Sequence, residues 1–214
     1  PERLLAVNQD VRGVPRGRNN SAQFSMAEYE YYREQATTTT GLLAYGRMWT
    51  ATLGGEQSRT VVATPVSCNY FEVLGIGASI GRGLVDAHCA DAGSARVAVI
   101  SHTLWQNDFG GSPAVIGESV FVNGSALEIV GVAPEGFAGI DIDRPSLFVP
   151  LAAQRILRPD RDYLEQPSIA WLNVVGRMRD GVTAQAVAAE FAVMAAQLDQ
   201  EQQGRSTSVD VARA

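Results

Sequence analysis

The sequence predicts an α+β fold in which an outer subdomain, made from two separate chain segments, is interrupted by a smaller inserted α+β subdomain. Three observations lead there. Strand–helix–strand patterns stand at both ends of the 214-residue chain, and a central block carries its own strands, helix and hairpin. Hydrophobic residues make up 46% and charged residues 19%, which gives a globular core and not disorder. This length forms one large domain or two small ones.

The elements follow in order. Residues 4–7 read as a short strand, and residues 11–21, rich in Gly, Pro, Arg and Asn, as an exposed loop. Ser25 caps a helix through Tyr29, Tyr32 and Gln35, with Glu28 completing a capping box. The threonine run 37–40 stops it, because β-branched side chains lose χ1 freedom in a helix. Residues 42–53 and 60–66 pair as strands across Gly54-Gly55. Residues 68–74 make a short helical turn closed by Gly75.

Residues 96–101 have a buried-strand pattern, followed by a helix over 102–109 that Gly110-Gly111 ends. Strands at 119–122 and 127–132 flank Asn123-Gly124, the strongest hairpin signal in the chain. A short strand at 147–149 lies between Pro145 and Pro150, and 154–167 reads as an exposed connection. Residues 171–178 form a strand with its turn at Asp180-Gly181. Thr183 caps a helix to about residue 203, with Val187, Phe191, Met194, Ala195 and Leu198 at helical spacing. Residues 208–212 begin one more strand. The expected division is an outer part at 1–66, an insert at 67–146 and a second outer part at 147–214.

The charge balance argues against general nucleic-acid binding. A net charge of -6 offers no basic face to neutralise phosphates. Arg12, Arg16 and Arg18 form one local basic cluster, read as a solvated loop, with contact to anionic lipid head groups as the sharper alternative. No apolar run approaches the roughly 20 residues that span a bilayer. The start at Pro1-Glu2 lacks the parts of a signal peptide, so the sequence reads as a segment of a longer protein. Cys68 and Cys89 either form the one disulfide open to them in an oxidising compartment or stay as separate thiols, one buried and one exposed.

Catalytic patterns are weak. A hydrolase triad needs a nucleophile, a base and an orienter. The histidines are His88 and His102; Ser101 beside His102 reads as a helix cap, and no nucleophile elbow accompanies either. Asp141, Asp143 and Glu135 lack the ligand spacing of a calcium loop and read as solvated turn residues. His88-Cys89 has no second pair at metal-ligand spacing. Gly110-Gly111-Ser112-Pro113 lacks the Gly-Lys-Ser/Thr of a phosphate loop, and the chain has no Lys. The aromatics Phe24, Tyr29, Tyr31 and Tyr32 read as core, with a partner surface as the alternative.

A series of short phrases carries a resemblance. They are Asn69-Tyr70-Phe71-Glu72-Val73-Leu74-Gly75, Ile80-Gly81-Arg82, Val97-Ala98-Val99-Ile100-Ser101, Trp105 to Gly111, Val115-Ile116-Gly117, and Val122-Asn123-Gly124 leading into Ile129-Val130-Gly131-Val132-Ala133-Pro134. In this order and spacing they resemble the periplasmic core domain of MacB-like ABC transporter permeases. The resemblance implies a porter-like subdomain of β-α-β units with an inserted, Sabre-like second subdomain. It implies a place on the extracytoplasmic face of the inner membrane, between the first two membrane helices of a permease.

The implied function is non-catalytic: coupling of membrane-helix motion to export or mechanotransmission, with no catalytic residue, cofactor or metal. The implied partners are the transmembrane region of the same permease, a cytoplasmic ATPase, a second permease copy and, in some members, a periplasmic adaptor. The structural signature falls on Asn69, Tyr70, Phe71, Leu74, Gly75, Gly81, Arg82, Asn123, Gly124 and Gly131, with Tyr70, Phe71 and Leu74 anchoring the insert. Cys68 and Cys89 are not demanded by the family pattern. The alternatives are an extracytoplasmic ligand- or peptide-binding module and, behind it, a soluble hydrolase using Asp141 or His102.

Overall fold

In chain order the secondary structure runs β1 (Leu4–Arg12), α1 (Met26–Gln35), β2 (Thr39–Gly46), β3 (Trp49–Leu53), β4 (Arg59–Val66), α2 (Tyr70–Leu74) and β5 (Ile80–Gly81). It continues with β6 (Val97–Ile100), α3 (His102–Phe109), β7 (Ser119–Val122), β8 (Ser125–Val132), β9 (Leu147–Pro150), α4 (Gln154–Leu157), β10 (Leu172–Met178), α5 (Ala184–Glu201) and β11 (Ser206–Arg213). The computed structural model describes residues 2–14, 23–47, 49–54, 58–91, 93–140, 144–160 and 162–214. Arg16, Arg18, Gly55, Asp141 and Asp143 lie outside the described residues.

The chain divides into two compact units, one of Pro1–Ala44 with Tyr163–Ala214 and one of Tyr45–Asp162. The expected boundaries at 66/67 and 146/147 both fall inside the second unit. In the first, strands from both chain segments interleave in the order β11-β1-β10-β2. β1 runs antiparallel to both β10 and β11. Numbered within the unit, that order is 4-1-3-2 with a helix after the first and third strands, the split β-α-β arrangement of ferredoxin-like folds.

Local chemistry explains the first unit's elements. Ser25 Oγ accepts from the Glu28 N–H while the Glu28 carboxylate accepts from the Ser25 N–H, the capping box expected from the sequence. Thr183 caps α5 through the Ala186 N–H. Leu5, Val7 and Val11 alternate into the core along β1. The helices meet where Tyr32 stacks on Phe191 at 5.2 Å. Phe24, Tyr29 and Tyr32 are fully buried, while Tyr31 is half-buried and donates to Gln197 Oε1 at 2.7 Å. Core packing therefore accounts for three of the four aromatics.

The second unit is built on strands that close on themselves. Its order is β4-β3-β7-β8-β6-β9, and β9 also pairs with β4. Closure leaves those strands without a free edge. The interior is filled by an apolar cluster that includes Leu53, Val61, Ile100, Val122, Leu127, Ile129, Leu147 and Val149. Alternation does the sorting: Leu147 and Val149 enter this cluster, and Phe148 between them faces the opposite way.

Two expectations are corrected. The single strand expected over 42–53 is two, β2 ending at Gly46 and β3 starting at Trp49, because the run carries a break that alternation alone does not reveal. The stretch 154–167 is not a plain exposed connection. It opens with α4, and Gln154, Leu157 and Tyr163 are buried. Among the described residues no helix is long and apolar enough to cross a membrane.

Candidate functional site

All signature residues lie in the second unit, but at three places: Asn69, Tyr70, Phe71, Leu74 and Gly75 on or beside α2, Gly81, Arg82 and Gly131 at the β5–β8 pairing, and Asn123 and Gly124 at the other end of β8. Tyr70, Phe71 and Val73 are buried, and Leu74 is only half-buried, so Val73 takes the anchoring place expected of Leu74. Tyr70 and Phe71 form a ring cluster with Phe148 of β9 and with Phe137 and Tyr45, at centroid separations of 5.4 to 6.4 Å. Tilted and edge-on pairs at this spacing are favourable beyond their buried area. Gly75, at φ 69°, ends α2 in the left-handed conformation, with its N–H on Glu72 O and the Ile76 N–H on Phe71 O. Those are the two bonds of a Schellman closure. Asn69 makes no side-chain cap; its Oδ1 accepts from Ser67 Oγ at 2.7 Å.

Gly81 and Gly131 mark a close backbone crossing. They face each other in the β5–β8 ladder, with the Arg82 N–H on Val130 O at 2.9 Å. A Cβ on Gly131 would lie 2.0 Å from Arg82 O, and one on Gly81 2.4 Å from Val130 O. Only glycine fits this approach. Cys68 and Cys89 are joined by a disulfide. The loop it closes contains α2, Gly75, Gly81 and Arg82. Next to it, buried His88 accepts the Val85 N–H on Nδ1, and its Nε2 lies 3.4 Å from Arg82 Nη2. Burial, and then the Arg82 guanidinium, hold the imidazole pKa below its ordinary value, against a smaller opposing effect of Glu128.

Asn123 and Gly124 form the β7–β8 turn with φ of 49° and 78°. Positive φ at both central residues is the two-residue hairpin geometry that Asn-Gly favours. Asn123 also fastens the turn to its neighbours. Its Oδ1 accepts from the Thr52 N–H at 2.8 Å and its Nδ2 donates to Leu157 O at 3.0 Å.

A cavity of about 260 Å³ opens in the same unit between the start of α3 and the segments before β9, lined by Arg59, Ser101, His102, Asn107, Phe137 and Arg144 among others. Ser101 Oγ is engaged as the α3 cap, accepting from the Leu104 N–H at 3.1 Å. His102 packs edge-on against Trp105 at 5.2 Å. Arg59 is held by both oxygens of Asp108 at 2.6 and 2.7 Å. Among the described residues, no three His, Cys, Asp or Glu side chains are grouped to hold a metal ion.

A known family pattern extends along most of the chain. The model of the MacB-like periplasmic core domain matches residues 2–193. The chain belongs to that family. It is similar to the periplasmic region of MacB from Actinobacillus actinomycetemcomitans, at 13% identity over 96% of this chain and 87% of the other, with a TM-score of 0.67. The extracellular domain of the noncanonic ABC-type transporter YknZ from Gram-positive bacteria gives 17% identity, 98% and 100% coverage and 0.67. A domain of a putative permease protein from Porphyromonas gingivalis gives 14%, 99% and 90%, and 0.64. At such identities these likenesses speak for the fold. No curated protein sequence matches the chain.

Within the MacB-like domain, sequence reasoning missed the polar contacts of the first unit. The Glu190 carboxylate on α5 accepts the N–H and hydroxyl of both Thr37 and Thr38. Arg205 joins Glu28 to Asp199. Glu28 was legible as a cap residue. Nothing in local sequence signals its partner 177 positions away.

Proposed function

We propose that this domain is a non-catalytic coupling element of an ABC transporter permease, carrying membrane-helix motion to the extracytoplasmic side for export or mechanotransmission. One observation carries the reading beyond family membership. The strands β1 and β11, far apart in sequence, lie side by side, with Leu5 opposite Arg213 and the Ala214 N–H on Leu4 O at 3.2 Å. If a membrane helix adjoins each strand, a relative shift of the two helices acts directly on the β1–β11 pair. The first unit then serves as the porter-like part, and an inserted Sabre-like part offers surface to partners. ATP hydrolysis belongs to a separate cytoplasmic ATPase, and a second permease copy and a periplasmic adaptor are the further partners.

The test uses the parent permease with its ATPase. Val193, 61% exposed on α5, is replaced by Cys and labelled, and the distance between labels on two copies is followed through ATP turnover. A nucleotide-dependent change in that distance is expected. An unchanged distance in a hydrolysing complex overturns the coupling reading.

A binding module is the second reading, favoured by the cavity that brings Arg59, His102, Asn107 and Arg144 together beside Phe137. The permease then shows no ATP-linked distance change.

A further inference from the structure

We propose that Arg205 is a latch that fastens β11 to both helices of the first unit, so that the β1–β11 pair, α1 and α5 shift as one body. Arg205 stands in the connection between α5 and β11. Its Nη2 donates to Glu28 Oε1 at 2.6 Å, and its Nε donates to Asp199 Oδ1 at 2.9 Å and to Thr207 Oγ1 at 3.2 Å. Three elements therefore meet on one guanidinium: α1 through Glu28, the last turns of α5 through Asp199, and β11 through Thr207.

Each carboxylate extends the connection. The second oxygen of Glu28 accepts the Ser25 N–H at 2.8 Å, the Ser25 hydroxyl at 3.1 Å and Gln9 Nε2 of β1 at 3.3 Å. Asp199 accepts the N–H and the hydroxyl of Thr207, both at 2.6 Å. The α1 cap, β1, α5 and β11 are thus tied through two carboxylates and one cation.

Position and burial make this more than a surface pair. β1 and β11 pair from Leu5–Arg213 to Arg12–Ser206, so the chain ends lie at one end of the ladder and Arg205 just past the other. A pull on the ends is carried along eight paired positions to the place where the latch holds both helices. The side chains of Arg205, Glu28 and Asp199 are 10%, 6% and 18% exposed, so opening any pair strands a charge in a poorly solvated site. Such a contact is closed or open, with little between. A guanidinium suits the task because its rigid fork holds its donors in fixed directions toward two carboxylates, whereas an ammonium is a compact point charge on a flexible stem. The purpose of the latch rests on the coupling reading; its existence does not.

Hydrogen–deuterium exchange on the 214-residue chain tests it. The triple variant Glu28→Gln, Asp199→Asn, Arg205→Met removes the latch without leaving a lone buried charge. Exchange in β11 and the first turn of α1 should rise at least tenfold, while β10 and β2 keep their protection. Arg205→Lys keeps the charge and loses the fork, and should raise β11 exchange too, even should the triple variant fail to fold. Unchanged β11 exchange in Arg205→Lys overturns the latch. So does a rise shared equally by β10, which would mean the network adds only to general stability. Either failure leaves the distance test on Val193 standing, so the two ideas fall separately.

Discussion

At Gly131 the local chain leaves no room for a side chain. The atom that a Cβ would meet at 2.0 Å is the Arg82 carbonyl oxygen, part of the backbone that hydrogen-bonds across the β5–β8 crossing. A flexible side chain can rotate away from such a contact; a paired backbone moves only by breaking its ladder. Gly131→Ala is therefore expected to lose about 2–4 kcal/mol, in the range of overpacking together with a disturbed hydrogen bond. Gly77 gives the comparison, since nothing lies within 4 Å of its Cβ position. Gly77→Ala should be neutral or slightly stabilising, by up to about 1 kcal/mol, because alanine restricts the unfolded chain. Urea unfolding of the two variants checks the pair. Equal midpoints would show that the Gly81–Gly131 crossing tolerates a methyl group and that its glycines have another cause.

The connection between α1 and β2 is held from outside by α5. Glu190 accepts from the N–H groups of Thr37 at 2.8 Å and Thr38 at 3.1 Å, and from both hydroxyls. Burial alone would push this carboxyl up, but the hydrogen bonds from Thr37 and Thr38 outweigh it and hold the pKa below the ordinary 4.5. A carboxyl with a lowered folded pKa stabilises above its unfolded pKa and loses that contribution as pH falls through the folded one. Between about pH 5 and pH 3, wild-type stability should thus fall more steeply than that of Glu190→Gln, read from urea midpoints. Parallel slopes would sink the idea. This clamp was not legible in the sequence, where 37–40 showed only that a helix must stop. Caps and turns were legible because their partners are three or four residues away: Ser25 with Glu28, the α3 span 102–109, and Asn123-Gly124. Tyr70 and Phe71 were picked out by the family resemblance, local pattern having shown only a helical turn there, and both are buried. What local pattern could not find were partners distant in sequence, such as Glu190 with Thr37, or the break that separates β2 from β3.

For the whole chain, the pairings that decide the architecture are the long-range ones. β4 meets β9 and β3 meets β7, which places the β3–β4 pair in the same compact unit as the β7–β8 hairpin. Most of these strands were readable from local pattern, β3 only as part of a longer run, but closure depends on partners tens of residues apart. The disulfide lies wholly inside this second unit, joining positions 21 apart. In the loop-entropy account, a bridge of that span stabilises by about 3 kcal/mol, by restricting the unfolded chain. If the two units unfold independently, that stabilisation belongs to one of them. The Cys68→Ala, Cys89→Ala variant should then show exchange in β6, β8 and β9 raised by roughly 100-fold, the factor that corresponds to about 3 kcal/mol. Amides of β1, β10 and β11 should keep their wild-type rates. A rise of the same size in both sets would instead mean that the units open in one cooperative step, and that a strain entering at the β1–β11 pair is felt throughout the domain.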